Sequence, residues 1–62
     1  MKPEDFEYMG FTPKAAKIMC KVEAFDTAWR RLSHSKGARE ITKYANIRDR
    51  LYRQIRKELE NL

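Results

Sequence analysis

The sequence predicts an all-α protein, an antiparallel helical hairpin with a short N-terminal helix or arm, expected to dimerise into a helical bundle. Two apolar stripes at helical spacing and one clear break between them carry that prediction. With only two Gly and two Pro in 62 residues, each of these four residues reads as punctuation.

The first element is expected over residues 3–9. Pro3 suits the first turn of a helix, Glu4 and Asp5 complement the positive end of its dipole, and Gly10 can take the left-handed conformation that ends it. So few residues form a helix only when packed against something. The second element starts at Thr12-Pro13, where a hydroxyl can cap free N–H groups and Pro loses nothing at the first helical position. From there to about His34, Ala15, Ile18, Val22, Phe25, Trp29 and Leu32 recur at alternating spacings of three and four, and with Met19 cover an arc of roughly 140°. Ser33, Ser35 and Gly37 then cluster, with Gly37 as the break. Beyond it Ile41, Tyr44, Ala45, Ile47, Leu51, Tyr52, Ile55, Leu59 and Leu62 fit an arc of roughly 160° on a helix from about 38 to about 60.

Two long helices joined by a few residues pack antiparallel. A turn centred near residues 36–37 pairs positions whose numbers sum to about 74. Trp29 should then meet Ala45 or Tyr44, Val22 should meet Leu51 or Tyr52, and Ile18 should meet Ile55. The same register brings Asp26 beside Arg48 as an interhelical ion pair. The alternative is that Asp26 pairs with Arg30 on its own helix while Arg48 snorkels past the core.

Residues 38–47, from Ala38-Arg39-Glu40-Ile41 through Thr42-Lys43-Tyr44-Ala45 to Asn46-Ile47, partly resemble the first helix and turn of a helix-turn-helix DNA-binding unit. Thr42 stands where that family has Ala, and Asn46 replaces its turn Gly. The apolar stripe also runs on in phase through Leu59, where a true turn would break it. One continuous helix is therefore the expectation.

Length and composition bound the rest. Sixty-two residues make a single domain, 1–62, whose size allows burial of only about 60% of the unfolded surface. Cys20 is the one cysteine and His34 the one histidine, so neither an internal disulfide nor a structural zinc can supplement the core. Self-association into a homodimer is the remaining route. No apolar run approaches the roughly 18 residues of a membrane helix, so no membrane partner is expected. Residues 1–5 lack the apolar stretch of a secretory signal, and a lone thiol suits the cytoplasm. A formal charge of +5 and a pI near 9.7 favour nucleic acid or an acidic protein surface as partner.

No glycine-rich phosphate loop or nucleophile elbow occurs, and one His is too few for acid–base chemistry to be expected. Glu4 with Asp5, and Glu58 with Glu60, lie at a terminus or on a helix surface, where perturbed titration is not expected. The prediction is a non-enzymatic regulatory or accessory binding protein without catalytic residues, cofactor or metal. Its leading candidate surface is the back of the 38–60 helix, where Arg39, Lys43, Asn46, Arg50, Arg53 and Lys57 recur at spacings of four and three. That line can follow a phosphate backbone. Asp49 at its edge is expected to pair with Arg53. The second candidate is a protein interface formed by Ala16, Cys20, Ala24 and Ala28, small residues off the main stripe, together with Phe6, Tyr8 and Met9. Either the N-terminal segment or another chain can approach such a face closely. Trp29 and the other aromatics, at helical spacing, are assigned to the core rather than to base stacking.

Overall fold

The computed structural model describes all 62 residues and contains three helices, α1 (Pro3–Tyr8), α2 (Pro13–His34) and α3 (Ala38–Glu60), with no strand. α2 lies in the middle, with α1 packed on one side and α3 on the other. The principal dimensions are 40 × 22 × 11 Å. The last is about one helix thick, so the chain forms a single layer.

The start of α1 is held by Asp5, whose carboxylate accepts the Lys2 backbone N–H at 2.9 Å. Its end is a complete Schellman motif. Gly10 N–H donates to the Glu7 carbonyl at 3.0 Å, and Phe11 N–H donates to the Phe6 carbonyl at 3.1 Å. Gly10 takes the required positive φ of 106°. The accompanying apolar contact is an edge-on packing of Phe6 and Phe11, ring centroids 5.8 Å apart. The motif turns the chain toward α2 and leaves Phe6 buried. At the start of α2, Thr12 Oγ1 accepts the Ala15 N–H at 3.2 Å with Pro13 at the first helical position.

α1 rests on the small-residue side of α2. The Cys20 thiol lies 3.5 Å from the Met1 carbonyl, the Glu23 carboxylate lies 3.2 Å from the Met1 nitrogen, and Ala16, one turn before Cys20, is completely covered.

α3 runs antiparallel to α2 and is unbroken from Ala38 to Glu60, without the bend a helix-turn-helix requires. Its register differs from the expected one. Arg48 sits over Trp29, Tyr52 packs near Phe25 and Glu58 meets Lys21, pairs whose numbers sum to 77–79, while Arg31 by Tyr44 and Lys14 with Asn61 sum to 75, near the expected 74. The link explains the shift. Ser35 and Gly37 are both extended, with ψ of 139° and 148°, so the link carries the chain past the end of α2 before α3 begins. The first turn and a half of α3 thus overhangs the end of α2, and every residue from Ala38 to Lys43 is exposed.

α3 is also rolled around α2 relative to the expected packing. Tyr44 and Ile47 face Ala24, Thr27, Ala28 and Arg31 across an open cleft of about 100 Å³, so α3 sits toward the small-residue flank. The consequence falls on the other flank. Val22 and Trp29, expected in the core, are 36% and 45% exposed. Fully buried residues are few (Phe6, Ala16, Ile18 and Ala28), which fits a layer with no second layer over it.

Two substitutions test this packing. A Cβ at Gly10 would meet nothing within 4 Å, so Gly10→Ala acts through the backbone alone and should cost about 1–2 kcal/mol. Ala16→Leu forces a larger side chain between α1 and α2 and should cost about 1–3 kcal/mol. Both should lower the urea midpoint while leaving the slope of the transition unchanged.

Candidate functional site

The outer face of α3 brings together the residues predicted from the sequence. Arg39, Lys43, Asn46, Arg50, Arg53 and Lys57 are all exposed and lie along the side of α3 turned away from its contact with α2. From Arg39 to Lys57 the line spans about 27 Å of helix. The charge is uncompensated. Four ion pairs form in the chain: Met1 nitrogen with Glu23, Lys21 with Glu58, Arg30 with Asp26, and Arg48 with Asp49. None takes a cation from the line. Asp49, expected to hold Arg53, instead lies 3.0 Å from Arg48, because Arg48 is the adjacent residue and its guanidinium reaches back along the helix. The Lys43 ammonium also stands 5.5 Å from the Tyr44 ring centroid, a cation–π distance at an exposed site.

The charge of the whole layer is graded. α1 carries Glu4, Asp5 and Glu7 and no cation, whereas α3 carries seven cations against four carboxylates. The acidic and basic helices occupy opposite edges, with α2 between them.

Asp26 and Arg48 do not pair within the chain. Asp26 holds Arg30 at 3.0 Å, one turn along α2. The Arg48 guanidinium lies 4.4 Å from the Trp29 ring centroid, a cation–π geometry. The shifted register accounts for this, because it sets Arg48 level with Trp29 rather than with Asp26.

The small-residue surface has two fates. Phe6, Ala16 and Ala28 are buried within the chain, and Cys20 is half-buried beside Met1. Ala24, Tyr8 and Met9 remain exposed, Tyr8 almost wholly, at 95%. Most of that surface is therefore occupied by α1 and α3 of the same molecule.

A different surface emerges that the sequence reading assigned to the core. Val22 and Trp29 on α2, with Tyr52 and Leu59 on α3, form an exposed apolar strip along one broad face of the layer. Phe25 bridges its two halves, with its ring centroid 6.3 Å from that of Tyr52. The signal available in the sequence was the width of the stripes, which exceeds what one neighbouring helix can cover. An open cleft of about 380 Å³ lined by Lys14, Lys17, Glu58 and Asn61 lies at the far end of the hairpin. There Lys14 Nζ donates to the Asn61 carbonyl at 3.1 Å. No helix is long and apolar enough to cross a membrane.

No protein-family model, curated protein or solved structure matches the chain.

Proposed function

We propose that the protein is a small, non-enzymatic binding protein that engages nucleic acid through the outer face of α3. One observation carries the reading: Arg39, Lys43, Arg50, Arg53 and Lys57 share one exposed face, and no carboxylate of the chain neutralises any of them. Holding like charges together costs free energy through self-repulsion, and a polyanion relieves it. A line of about 27 Å lies alongside roughly eight base-pair steps of a duplex, at 3.4 Å of axis per step. Arg guanidinium groups add bidentate hydrogen bonds to phosphate that Lys cannot make. The competing reading is a protein adaptor that uses the small-residue face and the N-terminal aromatics. It has less surface to work with, since Phe6, Ala16 and Ala28 are already covered.

Anisotropy titration of a labelled duplex of about 20 base pairs tests the reading. Four or five phosphate contacts should make affinity fall by roughly 100- to 500-fold between about 50 and 200 mM salt. Arg50→Glu with Lys57→Glu should weaken binding at least tenfold and flatten the salt slope by about two contacts. Absence of binding at the lower salt would remove the proposal.

A further inference from the structure

The apolar strip of Val22, Trp29, Phe25, Tyr52 and Leu59 has an occupant, and we infer that it is a second copy of this chain, docked about a two-fold axis. The inference does not depend on the nucleic-acid reading, since the strip and the basic line belong to different faces.

Surface area carries the first part of the argument. Compact single-chain proteins follow a scaling of surface with mass that gives about 4,250 Å² at this size. This chain exposes 5037 Å², an excess of roughly 800 Å², which is what one partner contributes to a standard protein–protein interface. The radius of gyration agrees, at 13.3 Å against about 10.6 Å for a compact chain of this length. A layer one helix thick lacks its second layer.

The chemistry of the strip says what the second layer is. Trp29 at 45% and Tyr52 at 51% exposure are the kind of large aromatic anchor that dominates interfaces. A chain with four buried residues and no disulfide needs this cover whenever it is folded, and a second copy is the one partner present wherever the chain is. A two-fold axis running along the hairpin between α2 and α3 sets each apolar strip against its copy, with α2 over the partner's α3.

Light scattering on nuclease-treated protein in high salt, at about 1 to 100 µM, should give about 15 kDa, twice the chain mass of 7.5 kDa. Trp29→Glu should reduce this to the chain mass, whereas Arg50→Glu on the basic face should leave it unchanged. A mass of 7.5 kDa for the parent throughout that range overturns the inference, and so does a Trp29→Glu variant that keeps the doubled mass.

Discussion

The constraint on which the rest of the molecule depends is the side of α2 on which α3 lies, with Tyr44 and Ile47 facing the Ala24–Ala28 flank across a small open cleft. Small side chains on one helix and large ones on the other let α3 settle to one side of the α2 stripe rather than over its centre. Once that choice is made, the positions of the other surfaces follow. The basic line is carried to the outer edge, α1 takes the rest of the small-residue side around Ala16 and Cys20, and half of each apolar stripe is left open on one broad face. A protein with a larger core would bury both halves of such a stripe. This one divides them between an intramolecular contact and an exposed strip.

The N-terminal segment is held by local geometry more than by area. Six helical residues have no stability of their own, yet α1 is fixed by a Schellman turn at Gly10, the Phe6–Phe11 contact and the Asp5 carboxylate at its start. These interactions concern neighbours in sequence, so they can form with little loss of loop entropy. What they accomplish is to deliver Phe6 to the interior and to cover Ala16 on α2.

Local features of the fold were legible in the sequence because they obey short-range rules. The limits of α2 and α3 were set by Thr12-Pro13 and by Gly37, and Gly10 announced its positive φ. The continuity of α3 through Asn46 could be read from the unbroken phase of its apolar residues. The six residues of the basic line could be found in the same way, since a helical face needs only the 100° step. The register and roll of the hairpin were not legible. They depend on the extended ψ angles of Ser35 and Gly37 and on which flank of α2 accepts Tyr44, neither of which has a one-dimensional signature. Those two unknowns are why Trp29 was assigned to the interior and why Asp26 was placed beside Arg48 of its own chain. Asp49 was likewise matched to Arg53 by the four-residue rule, whereas the adjacent Arg48 was close enough to win.

The separation of α1 from α3 has an electrical consequence. A net negative helix at one edge of the slab and a net positive helix at the other give the molecule a transverse dipole moment in addition to its net positive charge. In the field of a polyanion that moment exerts a torque before any contact is made, turning the acidic edge outward and presenting the cationic edge first. Diffusional encounters are thereby sorted by orientation, and a larger fraction of collisions begins with the productive side foremost.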